Sequence, residues 1–180
     1  MLKIKFNDGS IKEYNQGVSA LEIAESISPS LKKRSVAAKV NDNVVDLNRP
    51  ITTDASLVFL TEEDPEALDV LRHSSAHLMA EAVKTLYPHA KFGVGPAIDE
   101  GFYYDIDLGD DVLTESDLTM IEKQMAKIVA KNMPIERKEI SKQDALDFFK
   151  EDPYKVELIN ALPENEIISI YSQGVFSDLC

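Results

Sequence analysis

The stretch Leu2-Lys3-Ile4-Lys5-Phe6-Asn7-Asp8-Gly9-Ser10-Ile11-Lys12-Glu13-Tyr14 begins with apolar and charged residues in alternation, turns at Asn-Asp-Gly-Ser, and continues with a short partner segment. A period of two marks a half-buried strand, and Asp-Gly supplies the backbone freedom that a tight hairpin needs. Two antiparallel strands are therefore expected at the start of the chain. Working outward, Ser19 caps a predicted helix whose apolar positions are Leu21, Ile23, Ala24 and Ile27. After Pro29 come three further short segments of strand composition, at residues 36–41, 44–45 and 56–60, with a turn at Asp42-Asn43.

Strand, strand, helix and further strands predict a ubiquitin-like β-grasp unit over residues 1–61. The polar run Thr61-Glu62-Glu63-Asp64-Pro65 breaks the pattern, and a second domain is expected over residues 65–180. That domain opens with a helix running without Gly or Pro from Asp69 to Leu86. A hairpin is expected around residues 91–107, a long helix over 116–132, and a strand over 135–140. Ser141 then caps another helix, and late strands follow at 167–171 and 175–178. The fold class is α+β: a β-grasp domain followed by a mixed α/β domain.

With 180 residues and 44% hydrophobic content the chain can bury two small cores. No apolar run is long enough to span a bilayer, the first residues read as a strand rather than a signal peptide, and the lone Cys180 builds no internal disulfide. A reducing, cytoplasmic setting without membrane contact is expected. The formal net charge of −13 argues against coating nucleic acid nonspecifically, because phosphate neutralisation needs Lys and Arg. Lys32-Lys33-Arg34 is the one compact basic run; its commoner meaning is a solvated loop or helix end, and its rarer one RNA contact.

Neutral-pH chemistry is concentrated in three histidines and one cysteine. His73 and His77 stand four residues apart in Arg72-His73-Ser74-Ser75-Ala76-His77-Leu78, so on a helix their rings converge. At 100° per residue Leu71, Leu78, Ala82 and Leu86 form one sector, while His73, His77, Ala80 and Lys84 fall on roughly the opposite side. Spacing alone usually means two solvated surface histidines. A zinc-protease helix would carry Glu after the first His, and here Ser74 stands there, which disfavours a metal-dependent hydrolase of that type. The glycines at 93, 95 and 101 lack dinucleotide-loop spacing and are expected to permit tight turns or close backbone approach to a ligand. His89, after Pro88, is expected in a helix-end loop outside any site.

The β-grasp unit, the His73 to His77 segment, Gly95-Pro96-Ala97-Ile98-Asp99-Glu100-Gly101-Phe102-Tyr103-Tyr104-Asp105, Tyr154-Lys155-Val156 and Asp178-Leu179-Cys180 together closely resemble bacterial threonyl-tRNA synthetase, end to end over this chain. The resemblance implies a TGS domain followed by an editing domain, and hydrolytic proofreading of seryl-tRNA(Thr). It implies His73, His77, Lys155, Asp178 and Cys180 as catalytic residues and Gly95 and Tyr104 as substrate-binding ones. His73 would act as base or order the water, with His77 sharing its hydrogen-bond network. Lys155 would bind substrate or steady negative charge, Asp178 would orient the serine, and Cys180 would help place the water or the terminal ribose.

No metal or other cofactor is expected for editing. ATP, Mg and Zn belong to a catalytic domain that would follow. The expected partner is the acceptor end of tRNA(Thr), with homodimerisation of the whole enzyme through domains beyond this sequence. The family places a further histidine four residues after the cysteine, so the resemblance also implies an amino-terminal fragment with a weakened editing site and no threonine activation. The competing readings are an RNA- or protein-binding module without activity and a metal-dependent hydrolase.

Overall fold

In the computed structural model, which describes residues 1–180, the opening alternation becomes β1 (Leu2–Phe6) and β2 (Ile11–Tyr14), paired antiparallel with Leu2 opposite Tyr14. Gly9 turns the chain at φ +83°, where a Cβ would be strained. A capping box between Ser19 and Glu22 starts α1 (Ala20–Ile27), and Ser28 with Pro29 at the first position starts the short α2 (Pro29–Arg34). Next come β3 (Ser35–Val40), β4 (Asn43–Val45) and β5 (Ala55–Thr61). The five strands form one sheet in the order β2-β1-β5-β3-β4, with β1 and β5 parallel at its centre. Leu2, Ile4 and Leu57 from the sheet pack with Ala20 and Ile23 from α1 as a closed core. This is the β-grasp arrangement.

Lys32, Lys33 and Arg34 form the last turn of α2, where cations complement the helix dipole. Lys32 lies 2.8 Å from Glu25, and Arg34 lies 3.1 Å from Glu63. The basic run is a helix end with acidic partners.

The chain divides into two compact units, Met1–Arg72 and His73–Cys180, and the division falls inside α3 (Pro65–Leu86). In the first unit, Ala67 and Val70 of this helix pack with Ala37 and Leu60. The polar break at residues 61–65 is thus a turn into the helix.

In the second unit the expected hairpin is two nested antiparallel ladders, β6 (Lys91–Phe92) with β9 (Ile106–Asp107) and β7 (Ala97–Ile98) with β8 (Gly101–Phe102). Then come α4 (Glu115–Ala130), β10 (Ile135–Ile140), α5 (Lys142–Phe148), α6 (Pro153–Ala161), β11 (Ile168–Gln173) and β12 (Phe176–Leu179). The last three strands form an antiparallel sheet in the order β10-β11-β12. Ile168, Ile170 and Leu179 pack with Ala145, Phe149 and Ile159 from α5 and α6, while Phe176 joins Val83, Phe92, Ile121 and Ile128 in a separate cluster. Side chains alternate along a strand. Phe176, Asp178 and Cys180 therefore share one face of β12, and Leu179 faces the other way.

Two expectations need correction. The single apolar stripe on α3 does not hold: Ala80, placed on the histidine side, is 0% exposed, whereas Leu71, placed in the stripe, is 41% exposed. Ala76, Ala80, Ala82 and Val83 are all buried, and small side chains allow close packing on more than one side of a helix. The helix α6 was not foreseen, although Asp152-Pro153 is a helix-start signal, with an acceptor at the cap and Pro at the first position. No helix is long and apolar enough to cross a membrane.

Candidate active site

Within the second unit the resembling residues converge on one carboxylate. Asp178 is 2% exposed, and four donors surround it. Lys155 Nζ lies 2.7 Å from Oδ1, which also accepts from the Leu179 amide at 2.8 Å. Tyr104 donates its hydroxyl to Oδ2 at 2.5 Å, and His77 Nδ1 lies 2.9 Å from the same oxygen in an ion contact bent away from the ideal hydrogen-bond direction. A carboxylate offers about four lone-pair positions, so this one is saturated by protein.

Lys155 is equally committed. It is 4% exposed, and its ammonium reaches the Gly93 carbonyl at 3.1 Å, the Tyr104 oxygen at 3.0 Å and Asp178. Three protons meet three acceptors.

From Asp178 the chain of contacts runs outward along α3. His77 Nε2 stands 3.0 Å from His73 Nε2, which stands 3.1 Å from Cys180 Sγ, and the two rings meet edge to face. Cys180 is held by a reciprocal pair with Ser169, its amide donating to the Ser169 carbonyl at 3.0 Å and Ser169 Oγ donating to its carbonyl at 2.8 Å.

Charge is distributed by these contacts. Burial would push Asp178 up, but His77 and Lys155 outweigh it and hold the carboxyl well below its usual range. Burial would push His77 down, yet Asp178 and Cys180 outweigh that and raise it to about 9. Burial would raise the Cys180 thiol, but its contacts with His73 and His77 lower it to about 6. Burial and the neighbouring carboxylate drive the Tyr104 phenol far up, so it remains a donor. The Asp178 carboxylate beside its Nδ1 favours the charged form of His77.

His73, His77 and Cys180 also bring three metal-ligand atoms within 4.8 Å of one another. Around tetrahedral zinc, nitrogen and sulfur ligands stand about 3.3–3.5 Å apart, from Zn–N of ~2.0 Å and Zn–S of ~2.3 Å. The observed contacts of 3.0 and 3.1 Å are shorter, the spacing of hydrogen-bonded partners. The three donors would have to rearrange to take a metal.

Gly95 touches the site through a ring. A Cβ built there would lie 2.5 Å from the Tyr104 side chain, so only glycine lets the backbone lie against the ring that delivers its hydroxyl to Asp178. Gly95→Ala should displace Tyr104 and slow the reaction carried out at this site about tenfold or more, with a smaller effect on thermal stability. Parallel rate and melting measurements check this. His89 lies apart, its Nε2 3.1 Å from the Leu108 carbonyl and 3.1 Å from Asp111, as a loop latch.

Comparison with known proteins bears on the whole chain. Residues 2–61 match the TGS domain model. Proteins named threonine--tRNA ligase from Enterococcus faecalis and Anoxybacillus flavithermus are 54% and 53% identical over 99% and 100% of the chain. The chain belongs with the amino-terminal regions of bacterial threonine--tRNA ligases. It spans 28% of the length of the curated relatives it matches, and the same holds for the Halalkalibacterium halodurans ligase at 52% identity. In this ligase-family chain the resembling residues beyond the TGS domain cluster around Asp178. Reading the sequence missed the Gly93 carbonyl, a backbone contact that carries no side-chain signature, and Ser169, which holds Cys180 through both its carbonyl and its hydroxyl.

Proposed function

We propose that the second unit hydrolyses the ester of serine wrongly attached to tRNA(Thr), acting on the tRNA acceptor end in the cytoplasm. Serine lacks only the β-methyl of threonine, a difference worth about 1–3 kcal/mol in a pocket, so a synthetase needs a second, hydrolytic sieve. The observation that carries the reading is the division of labour along His73, His77 and Asp178 in a chain with this relationship. His77, held protonated by a buried carboxylate, is no base at neutral pH.

His73, which sits against the thiolate-forming Cys180, is the group left to take a proton. A water entering beside them gives its proton to the His73–Cys180 pair while its oxygen attacks the ester carbonyl. Collapse of the tetrahedral oxyanion returns that proton to the departing ribose oxygen, releasing serine and tRNA. The His77 imidazolium stabilises the thiolate and the developing negative charge. Asp178 and Lys155, saturated by protein, hold His77 and Tyr104 in place instead of binding substrate.

The test is incubation of the chain with seryl- and threonyl-tRNA(Thr). Serine should be released selectively, with a rate that is highest between about pH 6, where Cys180 loses its proton, and about pH 9, where His77 loses its own. Equal release from both substrates would overturn the reading, and binding of both without release would favour the RNA-binding alternative.

A further inference from the structure

We propose that Asp152 is a positioning residue for Lys155: a carboxylate clip that fixes the ammonium beneath Asp178 and Tyr104. This rests on the proofreading reading above for its kinetic consequence, and on geometry alone for its structural one.

One carboxylate oxygen, Oδ1, accepts from the Tyr154 amide at 3.1 Å and the Lys155 amide at 3.4 Å, capping the start of α6. The other, Oδ2, accepts from the Phe92 amide at 3.1 Å, sixty residues away in sequence. Phe92 immediately precedes Gly93, whose carbonyl receives the Lys155 ammonium at 3.1 Å, and its ring packs edge to face on Tyr104 with centroids 5.5 Å apart.

Asp152 therefore joins the backbone that carries Lys155 to the backbone that carries one of its three acceptors and supports a second. An ordinary N-cap uses one oxygen on its own helix. Here the second oxygen is spent on the strand that frames the site. Three bonds, Lys155 amide to Oδ1, Phe92 amide to Oδ2 and Lys155 Nζ to the Gly93 carbonyl, close a loop around the buried ammonium, and the loop fixes both where the helix starts and how far the side chain reaches. Lysine has four rotatable carbons and would otherwise lose this geometry readily. The segment that follows Gly93 leads to Gly95 against the Tyr104 ring, so a shift of the clip moves both residues that the resemblance assigns to substrate binding.

Two variants separate the clip from the cap. Asp152→Asn and Asp152→Ser each keep a side-chain oxygen for the helix start, and both are good N-caps, but neither supplies the second acceptor for Phe92. Ser141→Ala, which removes the cap of α5 away from the site, controls for general loss of helix stability. Three readouts are compared with the unaltered chain: amide exchange at Phe92, the nitrogen-15 signal of the Lys155 ammonium and its exchange with water, and kcat and KM for seryl-tRNA(Thr).

In both Asp152 variants Phe92 exchange and Lys155 ammonium exchange should each quicken at least tenfold. kcat should fall about tenfold with KM changed less than twofold. Ser141→Ala should leave the Phe92 and Lys155 signals unchanged. Unchanged Lys155 exchange in the Asp152 variants would overturn the proposal, whether or not Phe92 is released. Quickened exchange in a chain whose unaltered form hydrolyses no seryl-tRNA would sustain the clip and refute the proofreading reading.

Discussion

Asp178→Asn should destabilise the second unit by about 3–5 kcal/mol and lower serine-ester hydrolysis by two orders of magnitude or more. Breaking a buried pair costs that much because the surviving charge has nowhere to go. Here the survivor is the Lys155 ammonium, buried at 4% exposure among neutral acceptors. The pH dependence follows from two groups. His77 is raised in the fold, so its contact with Asp178 stabilises fully below its ordinary value near 6.5 and is lost as pH rises through about 9. Asp178 is depressed, so its contribution is present above its ordinary value near 3.8 and is lost as pH falls toward its folded value.

The stability gap between the unaltered chain and Asp178→Asn should therefore be widest between about pH 4 and 6.5 and narrow above 9. Urea unfolding followed by circular dichroism across that range measures it. Adding Lys155→Met to Asp178→Asn removes the stranded charge and should recover much of the lost stability without recovering the rate. A gap that is flat from pH 5 to 10 would contradict the assignment of charge to His77.

The contrast between what the residues foretold and what only the fold supplied is plain at this carboxylate. The β-grasp unit was legible because its signals are local: alternation in Leu2 to Phe6, a Gly at the turn, a Ser capping the helix. The strand at 135–140 and the Ser141 cap were legible for the same reason. The convergence of His73 with His77 followed from helical spacing alone. That Asp178 stands beneath them did not, because it depends on β12 pairing with β11 and on the alternation that puts Asp178 and Cys180 on one face.

The role of Asp178 was legible least of all. An acid at the end of a strand looks available to a substrate amine. Only the arrival of Lys155, Tyr104, His77 and the Leu179 amide shows its acceptors already filled. The helix stripe failed for a related reason: hydrophobic periodicity weights large side chains, and α3 buries alanines, whose small size is what allows close approach on several sides.

His73→Ala should abolish most hydrolysis while leaving the fold nearly untouched, and this pairing sets it apart from the loss at Asp178. The ring is half-buried, makes its polar contacts to His77 and Cys180, and lies one step removed from the buried Lys155–Asp178 pair, which stays intact without it. A positioned base contributes about 10²–10⁴ to such a reaction, so the rate on seryl-tRNA(Thr) should fall by that factor. Melting should shift by no more than a few degrees. Removing the ring also removes one of the two contacts that lower the Cys180 thiol, so the residual activity should need a higher pH to appear. His77→Ala removes the charged partner instead; it takes the imidazole away from Asp178 Oδ2 and should cost both rate and stability. Added imidazole should partly restore hydrolysis by His73→Ala, since a free ring entering the vacated space meets the same thiolate. It should not restore Asp178→Asn, where the ring is present but its neighbours have moved. Activity of His73→Ala within tenfold of the unaltered chain would transfer the base to another group, with the Cys180 thiolate the nearest candidate at 3.1 Å from the position the ring had occupied.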